Sequence, residues 1–192
     1  MDTREQWLTN MIAEIRPIFE VQGYPLPADI RVSTGVPTTY KRSGALSECF
    51  RESMSADGSF QIFISPTIAQ PYKVAEQLVH QLCRTTSAGA YTYGAKTFCK
   101  IATEMGLIAD ITRPKSEIRA SAGFESMYMS IIDGLGAYPH SELTLEGVKT
   151  QSTRMLATVC ETCGYLSRTS QKWILIKMPV CPVHLTEMKL KD

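Results

Sequence analysis

The chain has 192 residues, of which 44% are hydrophobic, and a formal net charge of +1 at pH 7. This length suits one ordinary domain, or one domain with a small appendage. The near-neutral charge argues against a global field that would attract nucleic acid or an anionic membrane. No apolar run approaches the roughly 18 residues of a membrane span, and the N-terminus lacks a signal-peptide core, so we expect a soluble, intracellular, cytoplasmic protein.

A helix followed by short strands is predicted for the first third of the chain. Apolar residues recur at helical spacing over residues 4–20, and Gly23 then ends the helix. The turn signal Asp57-Gly58 predicts a hairpin between the second and third strands. The strands are predicted over residues 30–33, 45–53 and 59–65.

Helices dominate the next stretch, and they are predicted over residues 71–85, 93–105 and 116–135, the last with Ser116 as its N-cap. The first of them has an apolar stripe that includes Cys83, and Cys99 is likewise expected in the core. Its opposite face is predicted to be polar and carries Lys73, Gln77, His80 and Arg84. The order of elements predicts an α+β fold. The predicted domains are residues 1–136 and 154–192, joined by a linker over 137–153.

Four residues near the C-terminus have the spacing of a metal site. Cys160-x₂-Cys163 is followed after 17 residues by Cys181-x₂-His184. Two short pairs separated by a hairpin-length insert are typical of a closed tetrahedral zinc site. The insert predicts two strands, Tyr165–Thr169 and Trp173–Ile176. We therefore expect a zinc ribbon with one structural Zn²⁺ and no open position for a substrate.

The same C-terminal region is basic. Residues 149–192 hold seven Lys or Arg and three Asp or Glu, a formal charge of +4. Arg154, Arg168 and Lys172 could contact a nucleic-acid backbone, while Trp173 beside them could stack on a base. The alternative is a solvated, slightly basic surface without a ligand.

Nearly the whole chain resembles the SprT-like family, especially its short phage-encoded members, which are related to the protease Spartan. The resemblance implies a zincin-like domain of helices around a small β-sheet, followed by a zinc ribbon. It is carried by the order of several short motifs, each weak alone: Arg16-Pro17-Ile18-Phe19-Glu20, Gly23-Tyr24-Pro25-Leu26-Pro27, Leu78-Val79-His80, Glu104-Met105-Gly106-Leu107, Leu135-Gly136-Ala137-Tyr138-Pro139-His140 and Cys160-x-x-Cys163-Gly164-Tyr165.

The resemblance implies an HExxH motif at the second helix and a third histidine on the next one, and this chain departs from both. His80 keeps the first histidine, whereas Gln81, Arg84 and Tyr93 stand at the glutamate and the other two histidines. An amide cannot act as the general base, and a guanidinium would repel Zn²⁺. We therefore expect no catalytic metal there. We hypothesise that Arg84 replaces the metal's charge and pairs with Glu76 or Glu104.

Three functions follow as alternatives. The first is an inactive SprT-like protein that acts by binding DNA or a DNA-associated protein, as the family implies. The second is a zinc metallopeptidase with atypical ligands, in which His140 joins His80 at a metal. The third is a phage-type regulator that binds a host protein through the old cleft. No membrane and no nucleotide cofactor are expected as partners in any of them.

Overall fold

The computed structural model describes residues 3–86, 95–109, 119–145 and 155–191. The chain divides into two compact units, Met1–Glu146 and Gly147–Asp192. The division therefore falls ten residues after the predicted end of the first domain. Tyr138 is buried in the core of the first unit, so the start of the predicted linker belongs to that unit.

The segment after residue 135 is held by the first helix, α1 (Arg4–Val21). Arg4 donates from Nε to Pro139 O at 3.0 Å and from a terminal nitrogen to Ser141 O at 2.5 Å. The Trp7 indole N–H donates to Gly136 O at 3.2 Å, and its ring meets Tyr138 edge-on at 5.2 Å. These contacts explain why a polar, turn-rich sequence packs onto the unit instead of linking it to the next.

The predicted α1 is confirmed, and it runs one residue beyond its expected end. Thr3 caps it by accepting a hydrogen bond from the Gln6 N–H, and Gly23 follows its end with a φ of +80°. Its buried side recurs at helical spacing and joins the core of the unit: Trp7, Leu8, Met11, Ile12, Ile15 and Phe19.

A three-stranded sheet of order β1-β3-β2 packs beside the helices, and it confirms the three predicted strands and their hairpin. β1 pairs parallel with β3, and β2 pairs antiparallel with β3. The hairpin loop is longer than predicted because a 3₁₀ turn, Glu52–Met54, precedes the turn at Asp57-Gly58. The strands are β1 (Ile30–Thr34), β2 (Ser47–Phe50) and β3 (Phe60–Ile64), with the four-residue helix α2 (Tyr40–Ser43) between the first two.

The helix α3 (Pro71–Thr85) has the predicted bounds, but only three residues of its predicted polar face, Lys73, His80 and Arg84, are partly exposed. It packs against β2, β3 and two further helices, so ten of its residues are buried, including Gln77 and Gln81. The later helices are α4 (Ala95–Glu104) and α5 (Ala122–Leu135). Cys83 and Cys99 are buried in the core, as expected.

The short strands β4 (Leu107–Ile108) and β5 (Arg119–Ala120) pair just before α5, and the sequence did not predict them. Ser121 caps α5 and accepts from the Gly123 N–H. The predicted cap, Ser116, lies outside the described residues, and α5 begins six residues after it. In the described ranges, no helix is long and apolar enough to cross a membrane.

The C-terminal unit is a three-stranded antiparallel sheet of order β7-β6-β8. The predicted strand at Tyr165–Thr169 is confirmed by β7, but the one at Trp173–Ile176 is wrong because those residues form a helix. The first strand of the sheet, β6, was not predicted. The elements are β6 (Met155–Val159), β7 (Leu166–Ser170), α6 (Gln171–Ile176) and β8 (Lys189–Leu190).

Candidate metal centre

Two turns of the same backbone form carry the four predicted ligands. In the first, the Gly164 N–H donates to Cys160 O at 2.8 Å, and the Cys160 N–H donates to Tyr165 O at 3.0 Å. Gly164 has a φ of +73°, a left-handed conformation that glycine adopts without strain. The turn therefore places Cys160 and Cys163 on one side of the backbone.

The second turn repeats this pattern and begins at Cys181, five residues after the end of α6. The Leu185 N–H donates to Cys181 O at 2.9 Å, and the Cys181 N–H donates to Thr186 O at 2.9 Å. Leu185 occupies the position of Gly164, with a φ of +56°. A leucine in this region is strained, because its Cβ approaches the neighbouring carbonyl oxygen.

The two turns bring their four side chains together. Cys163 Sγ lies 3.7 Å from Cys181 Sγ, and His184 Nδ1 lies 3.8 Å from Cys181 Sγ and 3.9 Å from Cys160 Sγ. All four donor atoms lie within 4.8 Å of one another, and the cysteines are unbridged. The sulfurs are well beyond the roughly 2.05 Å of a disulfide. The cluster could hold one metal ion, as the sequence predicts.

The protonation states suit such a role. The backbone N–H of Cys163 is the largest influence on Cys160, and it lowers the pKa of that thiol to about 6. A hydrogen bond with Cys181 raises the pKa of His184. A thiolate that backbone amides already stabilise is ready to bind a cation, since thiolates and not thiols are metal ligands. Cys160 and Cys181 are buried with Met188, whereas Cys163 and His184 face solvent.

On α3, the residues at the positions implied by the resemblance have other partners. Gln81 donates from its amide to Ser47 Oγ at 2.7 Å, and Ser47 in turn donates to Gln77 Oε1 at 2.8 Å. This buried chain fixes Gln81 against the strand β2. Tyr93 lies outside the described residues.

His80 and Arg84 both lie against Phe98 of α4. The Arg84 guanidinium carbon is 4.8 Å from the centre of the Phe98 ring, and the His80 ring is 5.8 Å from it. His80 is partly exposed as a residue, but its Nε2 atom is buried and has no hydrogen-bond partner among the residues that the structure describes. Burial, and secondarily the charge of Arg84, lowers the pKa of His80 to about 3. The ring is therefore neutral at pH 7.

The two carboxylates suggested as partners of Arg84 accept hydrogen bonds from other residues. Glu76 accepts from Lys73 Nζ at 2.6 Å and from the Gln77 amide at 3.2 Å. Glu104 accepts from the Tyr24 hydroxyl. His140, the other candidate ligand, is exposed, with a φ of +66°, in the segment that Arg4 holds.

The predicted nucleic-acid residues lie on two different elements. Arg168 is an exposed residue of β7, whereas Lys172 and Trp173 belong to α6, where the Lys172 ammonium lies 5.4 Å from the Trp173 ring centre. Arg154 lies outside the described residues. Strand pairing places Arg168 on a face of the sheet, whereas the other two residues belong to the helix that follows β7.

Two lysines that the sequence analysis left unassigned share the face of Arg168. Arg168 is opposite Ala157, and the Lys191 N–H donates to the Ala157 carbonyl at 2.9 Å on the other side. Lys189 is opposite Val159, one step along the same face. Opposite residues project to the same side of an antiparallel sheet, as do alternate residues of one strand. We call Arg168, Lys189 and Lys191 the basic sheet face. In the sequence, the alternation Lys189-Leu190-Lys191 indicates only that the two lysines lie on one side of a strand.

The fold and site define an α+β protein with a Cys₃His cluster that could hold one metal ion. Comparison of the chain with protein-family models, with curated proteins and with solved structures gave no match.

Proposed function

We propose that the protein is a SprT-like zinc-ribbon protein without metallopeptidase activity, and that it acts by binding DNA or a protein bound to DNA. The basic sheet face beside the Cys₃His cluster carries this proposal. Three cations on one small sheet form a surface for a phosphate backbone, and the metal below it would fix the strands that present them.

Zinc is the metal that the cluster suits best. In a regular tetrahedron with Zn–S bonds of about 2.3 Å, two sulfurs lie about 3.8 Å apart. The Cys163 and Cys181 sulfurs are 3.7 Å apart. Three thiolates and one imidazole in such a geometry favour Zn²⁺ over the harder cations, which prefer oxygen ligands. With four protein ligands the ion is structural, and it joins the two turns of a unit too small for a large core.

The contacts of α3 support a binding role for the first unit. A metallopeptidase needs a base to take a proton from metal-bound water, and Gln81 instead donates its amide to Ser47. The fixed cation of Arg84 shares the Phe98 ring with His80. A dication beside that guanidinium would meet charge repulsion.

The basic sheet face suits a nucleic-acid backbone. Arg168 stands on one outer strand and Lys191 directly follows the other, so that two strand spacings, about 10 Å, separate them. The residue between them is Ala157, whose small side chain leaves the face open. Lys189 has an exposed partner, Glu161, at 2.9 Å. Such a surface pair is worth at most about 1 kcal/mol, so a phosphate can compete for the lysine.

Binding of a labelled DNA fragment, followed by fluorescence anisotropy across a salt series, tests the proposal. We expect the double variant Arg168→Ala/Lys191→Ala to lose affinity and to lower the salt slope by about 1.4 to 1.8, since each phosphate contact contributes about 0.7 to 0.9. Lys100→Ala, which removes an exposed lysine of α4, is the matched control and should leave both quantities unchanged.

Absence of DNA binding at low salt would refute the nucleic-acid proposal, and so would equal losses in the double variant and the control. Casein digestion that a chelator abolishes would refute the non-proteolytic role. Bound zinc is measured in every variant, so that loss of the fold is not mistaken for loss of a contact.

A further inference from the structure

The short helix α6 exposes three large apolar side chains to solvent. Trp173 is 58% exposed, Leu175 78% and Ile176 66%, and none of the residues of α6 is buried. By contrast, Trp7 on α1 is buried in the core of the first unit. Exposed apolar side chains grouped on one element mark interaction sites in soluble proteins.

The helix geometry places these three side chains on the side opposite to Ile174. At 3.6 residues per turn, Trp173, Leu175 and Ile176 fall on one broad arc, and Ile174, which is half-buried, points the opposite way. Lys172 falls on the same arc, and Lys177 follows the end of the helix in extended backbone; both are exposed. The outer surface of α6 therefore interleaves apolar and cationic groups. We call it the α6 surface: Lys172, Trp173, Leu175, Ile176 and Lys177.

Charge selects the kind of partner. Residues 155–191 contain five Lys or Arg and two Glu. One of those glutamates, Glu161, pairs with Lys189. A second copy of the chain would bring lysines against lysines. A nucleic acid would satisfy the charges but would leave Leu175 and Ile176 without partners, since bases stack on aromatic rings and not on aliphatic chains.

We infer that the α6 surface docks an acidic protein segment that carries apolar side chains, such as an amphipathic helix with one carboxylate-rich edge. Burial of Trp173, Leu175 and Ile176 would supply the affinity, because aromatic residues at the centre of an interface dominate binding. Lys172 and Lys177 would set the orientation and speed association through complementary charge. This surface is distinct from the basic sheet face and does not depend on DNA binding.

The test uses the full chain and three synthetic peptides. The first is an amphipathic helix with leucines on one side and glutamates beside them. The second has lysines in place of the glutamates, and the third has serines in place of the leucines. Binding is followed by anisotropy of the labelled peptide and by emission of Trp173, because the other tryptophan, Trp7, is buried.

We expect the acidic, leucine-bearing peptide to bind at least tenfold more tightly than either matched peptide, with a blue shift of Trp173 emission. Leu175→Ser/Ile176→Ser should weaken that binding at least tenfold, and Lys172→Ala/Lys177→Ala should weaken it several-fold and reduce its salt dependence. Arg168→Ala, on the basic sheet face, should leave it unchanged. Retention of bound metal shows that each variant is folded.

Several results would overturn the inference. Equal binding of the acidic and basic peptides would remove the charge argument, and full binding by Leu175→Ser/Ile176→Ser would remove the apolar one. A concentration-dependent dimer that this variant abolishes would identify a second copy as the occupant. Binding to phosphatidylcholine–phosphatidylglycerol vesicles that the variant abolishes would identify a lipid surface instead.

Discussion

Leu185 and Gly164 occupy equivalent positions in the two metal-binding turns, so their backbone strain can be compared directly. In both, the backbone N–H donates to the carbonyl of the cysteine four positions earlier and φ is positive, yet only glycine adopts this φ without strain. Leu185 is 80% exposed, so replacing it removes little packing. A Cβ added at Gly164 would meet nothing within 4 Å. A substitution there therefore changes stability through the positive φ and not through a steric clash.

We predict that Leu185→Gly raises the free energy of unfolding of the metal-loaded C-terminal unit by up to about 1 kcal/mol, and that Gly164→Leu lowers it by about 1 kcal/mol. The rate of metal transfer to a chromogenic chelator measures both, slower in the first variant and faster in the second. Equal rates would mean that the two turns do not bear the strain that their φ values indicate.

His80 should make the first unit sensitive to acid. Its pKa is lowered to about 3, by burial first and by Arg84 second. An unfolded histidine binds a proton below about pH 6.5, so between pH 6.5 and 3 the unfolded chain binds more protons than the folded one. The free energy of unfolding therefore falls as the pH drops through this window, by up to about 1.4 kcal/mol per pH unit from this group.

Denaturant unfolding between pH 7 and 5 measures this slope. His80→Leu should flatten it, because the unfolded variant has no imidazole at this position to take up a proton. His140→Asn is the control, since His140 is exposed and asparagine tolerates its positive φ. Identical slopes in the wild type and His80→Leu would show that His80 is not held neutral by the fold.

Among the elements, α1 and α3 were predictable from local sequence patterns. The helix α6 and the composition of the sheet faces were not. Trp173–Ile176 is a short apolar run, and periodicity cannot assign such a run to helix or strand. The four metal ligands were predictable because each pair lies within four residues. The basic sheet face was not, because Arg168 and Lys191 come together only through β6, a strand that the sequence did not predict.

Gly106, which connects α4 to β4, lies against the backbone of α5. Gly106 has a φ of +78°, and a Cβ there would lie 2.8 Å from the Phe124 backbone. Gly23, with a φ of +80°, has nothing within 4 Å of such a Cβ. We expect Gly23→Ala to lower the free energy of unfolding by about 1 kcal/mol, and Gly106→Ala to lower it by at least about 1 to 3 kcal/mol more.

Chemical denaturation of the two variants measures this difference. Because the backbone penalty is shared, the excess in Gly106→Ala reports the close approach of the two backbones. Equal losses in the two variants would mean that β4 and α5 separate without cost to admit a methyl group.

At the scale of the whole molecule, the account assigns different roles to the two units. The unit Met1–Glu146 has a large apolar core that contains Phe19, Leu78 and Phe124, so we expect it to fold without a metal. In its described part, the unit Gly147–Asp192 has a buried apolar cluster of only Cys160, Cys181 and Met188, so we expect its stability to depend on a bound ion. Removal of the metal should therefore unfold the second unit and leave the first intact.

The central claim is that the chain holds one zinc ion, in the Cys₃His cluster, and none at His80. Elemental analysis of the purified chain and of two variants tests it most directly. We expect one zinc per chain, its loss in Cys160→Ser/Cys181→Ser, and its full retention in His80→Leu. Two zinc ions per chain, or loss of zinc in His80→Leu, would contradict it.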